Sequence, residues 1–128
     1  MTTETTLHHS STSDWSADEL AAIREGLELA VVRLRSEITV AGSLMARAVS
    51  ESTLEVLHDE IDIAAHQEEL LQDAIQAENT AAILAQTEHV LARLEAGFYG
   101  VCESCTESIG RPRLEAFPRA TLCMECVR

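Results

Sequence analysis

Apolar residues recur at Leu20, Ile23, Leu27, Ala30, Leu34, Ile38, Ala41, Met45 and Ala48. This mostly three-four alternation predicts one long helix from Ser16 to about Ser50. Ser16 and Glu19 carry the spacing of a capping box, and Trp15 is placed to staple onto Leu20. Ahead of that start, residues 1–13 are polar and aperiodic, and 1–15 are set apart as a disordered tail. Gly42 costs the first helix ~1 kcal/mol without ending its pattern. A second helical run covers roughly 60–96, with Ile63, Leu70, Ala77, Leu84 and Leu91 spaced by sevens. Ala74 and Ala81 fall between them, Glu88 interrupts that intermediate row, and Gly97 is placed to stop the helix in a left-handed turn. Two helices of about 50 Å each, at ~1.5 Å per residue, are joined here by a short polar segment. They are expected to fold back as an antiparallel hairpin over 16–97, its tip near 51–64, rather than open into a dimeric coiled coil. Alanines in the second seam would let the two axes approach closely. The expected fold class is all-α dominated, a long antiparallel coiled-coil hairpin followed by a small four-cysteine finger over 98–128.

Composition sharpens this picture. The 128 residues suit one small domain with an appendage. Nine arginines face 22 carboxylates, for a net charge of −13, and there is no lysine. That acidity argues against a nucleic-acid backbone or an anionic membrane as partner. Only four residues are aromatic, which fits helices packed by small aliphatic side chains better than a thick globular core. No apolar run is long enough to span a bilayer, and a cytoplasmic protein is expected. Residues 51–80 carry nine carboxylates and no Lys or Arg, so the hairpin tip is strongly negative. Asp59 is placed to cap the second helix, and Asp62, on its first turn, to complement the helix dipole.

The candidate chemistry lies in the last quarter. Cys102 and Cys105 form one Cys-x-x-Cys pair, Cys123 and Cys126 a second, with seventeen residues between. Two thiolates three positions apart on a tight turn can face one ion, and a second such turn completes a tetrahedron. One structural Zn2+ is expected. Two disulfides would suit a secreted chain, but no signal peptide is read at the start. A redox dithiol needs one such pair beside a strand-helix unit, and a catalytic zinc keeps a coordination position open. So small a finger has little core of its own, so metal would supply much of its folding energy. Arg111, Arg113 and Arg119 in the finger loop either offset the thiolate charge or contact a partner. His8 and His9, and His58 and His66 around the tip, are expected to be solvated rather than ligands. No nucleophile with an adjacent base, no carboxylate pair in a pocket and no phosphate loop is present, so no enzyme is expected.

Two stretches together resemble the DksA/TraR family of bacterial transcription regulators. In the finger they are Phe98-Tyr99-Gly100-x-Cys102-Glu103-x-Cys105, Ile109-Gly110, Arg113-Leu114-Glu115-Ala116-x-Pro118 and Ala120-Thr121-Leu122-Cys123-x-x-Cys126. At the tip they are Asp59-x-x-Asp62-x-Ala64, followed by Ala65-x-x-Glu68-Glu69. The resemblance covers about 45–126. It implies a protein that binds RNA polymerase and not DNA, with the finger at the rim of the secondary channel and the hairpin inserted into it. Asp59, Asp62 and Ala64 would then act on initiation, and Arg111, Arg113 and Arg119 would be possible polymerase contacts. Three departures qualify this. Ile63 stands where the best-known members carry arginine. Only Val127 and Arg128 follow Cys126, where the family has a C-terminal helix. Phe117 replaces the arginine of the R-L-E-A-R-P run, and the second helix has no lysine, so the cations that hold ppGpp are missing. Action with little or no dependence on ppGpp is therefore expected. A zinc-stabilised coiled-coil adaptor for another protein is the alternative. A redox-regulated holdase or a DNA-binding finger fits less well, given the closed thiolate sphere and the acidity.

Overall fold

The computed structural model describes residues 15–54 and 60–128. Residues 1–14 of the expected tail, with His8 and His9, and the tip residues His58 and Asp59 lie outside the described residues; Trp15, placed last in that tail, is buried in the core instead. Among the described residues four helices follow in order: α1 (Ala17–Leu54), α2 (Glu60–Glu95), α3 (Arg111–Ala116) and α4 (Met124–Val127). Among the described residues the β structure is one antiparallel bridge, Val101 to Ser108. The chain divides into two compact units, one made of residues up to Ala30 with Gln86–Arg128, the other of Val31–Ala85. In the first, the start of α1 packs on the end of α2. In the second, the rest of α1 packs on the beginning of α2, so the pair is antiparallel as expected.

The capping box forms as the sequence requires. Glu19 N–H donates to Ser16 Oγ at 3.1 Å, and Ser16 N–H donates to Glu19 Oε1 at 2.9 Å. Two of the unpaired donors at the start of α1 are thereby satisfied. All nine predicted seam residues of α1 are buried or half-buried. Gly42 is spanned without a break, and so is Gly26; an added methyl at either would touch nothing within 4 Å. The helix continues past Ser50 to Leu54.

In α2 the row Ile63, Leu70, Ala77, Leu84 and Leu91 is half-buried, as its seven-residue spacing predicts. The intermediate row is a correction. Ala74 and Ala81 are exposed, and the residues turned inward lie three places after each row member instead of four. They are His66, Thr80, Thr87 and Leu94, with Asp73 exposed in the same register. Polar residues occupy most of this row, so apolar spacing does not reveal it. Ala74 and Ala81 therefore stay outside the seam, and Ala77 is the one of these three alanines that is half-buried. Thr80 turns its hydroxyl back to Gln76 O at 3.0 Å, a common way for a helix to absorb a threonine. Glycine at position 97, with φ of +89°, ends α2. Phe98 N–H bonds to Arg93 O at 2.8 Å and Gly97 N–H to Leu94 O at 3.1 Å, the paired bonds of a Schellman stop.

Candidate metal centre and functional site

The first cysteine pair sits on a knuckle closed by the Val101–Ser108 bridge. Cys102 N–H donates to Glu107 O at 2.8 Å, and Thr106 N–H donates back to Cys102 O at 2.9 Å. Thr106 takes a φ of 65°, a left-handed conformation few non-glycine residues adopt, and this tightens the turn. In the second pair, Cys123 is the N-cap of α4 and its carbonyl accepts from Cys126 N at 3.1 Å. All four cysteines are free thiols. Their sulfur atoms lie within 4.8 Å of one another, with Cys105 and Cys123 Sγ atoms 3.6 Å apart. A tetrahedral ZnS4 centre with bonds of ~2.3 Å has edges of roughly 3.8 Å, so this spacing fits one zinc ion and is too long for a disulfide.

The local electrostatics agree. Burial disfavours the Cys102 thiolate, yet backbone N–H groups of Cys105, Cys123 and Ser104 outweigh it and bring the thiol down to about 6. Cys126 is pushed up to about 12, chiefly by its contact with Cys123 and then Cys105, because crowded sulfurs cannot all be ionised alone. A divalent cation at their centre removes that conflict. Cys102, Cys105, Cys123 and Cys126 therefore form a closed structural site for one zinc ion, as the motif predicts.

The finger shares its core with the base of the helix pair. Tyr99, Cys102, Ile109, Leu114, Ala120 and Cys123 form one buried cluster with Trp15, Leu27, Val90 and Leu94. Polar bonds fasten the same contact. Arg93 Nη2 donates to Val101 O at 2.8 Å, Gln86 Nε2 to Arg119 O at 2.8 Å, and Tyr99 O–H to Pro118 O at 3.1 Å. Burial pushes the Tyr99 phenol up to about 12, so it remains a donor. His89 Nε2 meets Glu103 Oε1 at 2.9 Å.

Trp15 does more than staple. Its ring meets Tyr99 edge-on, with centroids 5.8 Å apart, and the Arg111 guanidinium lies 4.2 Å over its centre. Arg111 also pairs with Glu19, 92 residues away, and with Glu115 at 3.2 Å. Hydrogen bonding from Arg111 and Ser16 holds Glu19 down at about 2, against an ordinary 4.5. No local pattern announces this trio; its one signal is that Glu19 belongs to a capping box and so has a fixed position. Arg113 donates to Leu122 O at 3.2 Å, beside Cys123, which suits a role in offsetting thiolate charge. The Arg119 guanidinium lies 5.2 Å over the Phe117 ring.

Asp62 stands on the first turn of α2 and is exposed, as is Ala64. Ile63 between them is half-buried in the seam. No helix of the described residues is long and apolar enough to cross a membrane.

Residues 97–127 match the family described as prokaryotic dksA/traR C4-type zinc finger. The RNA polymerase-binding transcription factor DksA of Escherichia coli K12 is 33% identical over 110 residues, spanning 84% of this chain and 68% of its own. The chain belongs to the DksA/TraR family. The DksA protein of Salmonella typhimurium is 37% identical over 68 residues, covering 53% of this chain and 45% of that one. Among solved DksA-type structures, transcription factor DksA2 from Pseudomonas aeruginosa superposes with a TM-score of 0.70 at 27% identity. That match covers 88% of this chain and 82% of the other.

Proposed function

We propose that this chain is an RNA polymerase-binding transcription regulator that inserts its acidic hairpin tip into the secondary channel and alters initiation. The observation that carries this reading is the presence in one chain of a four-cysteine metal site at the base and an exposed carboxylate, Asp62, on the first turn of the returning helix. The base gives a fixed body for docking. The tip gives a concentrated negative charge that can meet basic polymerase residues or the surroundings of a catalytic magnesium. Asp59, Asp62 and Ala64 are the proposed effector residues. Arg113 and Arg119 are the proposed rim contacts; Arg111 is engaged with Glu19 and Trp15 and serves chiefly to hold the finger.

Independence from ppGpp is part of the proposal. Arg119 is the cation beside Phe117, and its guanidinium is already stacked on that ring. One such group is poorly matched to a ligand bearing four or five negative charges. The test is multi-round transcription on a ribosomal-RNA promoter with purified polymerase, comparing wild type with Asp59→Asn/Asp62→Asn, with and without ppGpp, while binding is followed in parallel. Wild type should change transcript yield equally in both conditions, and the double variant should bind without that effect. A wild-type protein that neither binds polymerase nor changes yield would leave the adaptor role in its place.

A further inference from the structure

Away from both tip and metal, the unit Val31–Ala85 carries a groove of about 880 Å3 along one flank of the helix pair. Its floor is built of small or flexible residues, Ala41, Met45, Ala48 and Ala77. One bank is the outer side of α1, where Val32, Val40 and Leu44 are 65%, 54% and 58% exposed. A surface helix normally presents polar residues opposite its seam, and an apolar line there marks a contact surface. The facing bank, on α2, is Glu69, Asp73, Gln76 and Thr80, and Glu37 adds a third carboxylate from α1. Arg33 is the only cation of the lining, and it sits 3.6 Å from Glu37.

We propose that this groove receives a basic amphipathic helix of a partner protein. Small floor residues let a third helix approach, Val40 and Leu44 bury its apolar stripe, and the carboxylates of the opposite bank pair with lysines or arginines along its edge. From Val32 to Ala48 the groove runs about 24 Å at ~1.5 Å per residue, which sets the occupant at four to five turns. The charge of the surroundings decides its sign. Within this unit every described cation lies on α1, whereas the described part of α2 carries Glu60, Asp62, Glu68, Glu69, Asp73 and Glu78 and no cation. A second copy of the chain, itself at −13, would be repelled, and a nucleic acid would meet carboxylates and an apolar bank. This surface is separate from the tip, and its test does not depend on the tip's role.

The probe is an 18-residue synthetic helix of leucine, alanine and lysine, with leucines at i, i+3/i+4 and i+7 and lysines flanking them. Its binding to the full, zinc-loaded chain is followed by fluorescence anisotropy at physiological salt, beside a version with glutamate in place of lysine. The lysine peptide should saturate at one per chain and the glutamate peptide should not bind. Val40→Gln/Leu44→Gln changes exposed positions to a good helix former, and should weaken binding about tenfold, equivalent to ~1.4 kcal/mol. Glu69→Gln/Asp73→Gln should weaken it similarly, while Glu68→Gln/Glu78→Gln, which removes the same charge outside the groove, should leave it unchanged. Equal loss in the two carboxylate pairs, or no loss in the Val40/Leu44 variant, would mean a diffuse field rather than a groove and would overturn the proposal. So would sedimentation showing the chain paired with itself through this flank and closed to the peptide.

Discussion

Arg111 touches Glu19, Glu115 and the Trp15 ring with one guanidinium, so a single side chain joins the third helix to the first turn of the first. Its consequence for stability has a definite sign. The folded-state value of Glu19, about 2, lies below its ordinary 4.5. The pair therefore contributes fully above the unfolded value and is lost as pH falls through the folded one. Thermal melts should place wild type above Glu19→Gln at pH 7, with the gap closing between pH 4.5 and 2; a gap that stays constant over that range would count against the pairing. Zinc content is followed in both proteins, because protonation of the thiolates over the same range releases the metal that holds the finger. At Gly26 and Gly42 the argument concerns the unfolded chain as well. Both sit inside a continuous helix with open space where a methyl would go. Either Gly→Ala change should raise stability by ~1 kcal/mol, read from urea unfolding midpoints at constant slope.

At the scale of an element, α2 is an unusual partner for α1, because its second inward row is written largely in polar residues. His66 Nε2 is buried with no hydrogen-bond partner among the described residues. Leaving such a group unmatched is costly, so His66→Leu should stabilise the hairpin by ~1 kcal/mol in the same urea assay. The register has its own test. Ala74→Glu and Ala81→Glu should change stability by less than ~0.5 kcal/mol, as exposed sites do, whereas Ala77→Glu should cost ~1–3 kcal/mol. Apolar spacing marks the α1 seam except for Val31, which is buried beside it, and half of the α2 seam. Caps and stops were also legible, since Ser16, Glu19 and Gly97 act through bonds only three to five residues long. The other half of the α2 seam was not legible. Which threonine or histidine turns inward is settled by the facing helix, and alanine, tolerated anywhere on a helix, drew the pattern one position too far. The metal ligands were legible because thiolate spacing on a turn is a local property. Trp15 on Tyr99 and Glu19 on Arg111 were not, because each joins residues more than 80 positions apart.

For the whole molecule, metal and core cannot be separated. Cys102 and Cys123 are buried within the cluster that also holds Trp15 and Tyr99. Removing zinc with a strong chelator, or substituting Cys123→Ser, should therefore expose the tryptophan at the far end of the sequence. Its fluorescence should shift to the red and the near-ultraviolet dichroism of the Trp15–Tyr99 pair should fade; an unchanged spectrum would mean that the core stands without the ion. The same long-range closure constrains biosynthesis. Tyr99 and Arg111, which meet Trp15 and Glu19, lie more than 80 positions further along the chain. The emerging chain must keep the apolar stripe of the first helix soluble until the finger has been made and has captured zinc. Cells starved of zinc should thus accumulate a long helical intermediate with an uncovered base, a natural client for chaperones and proteases.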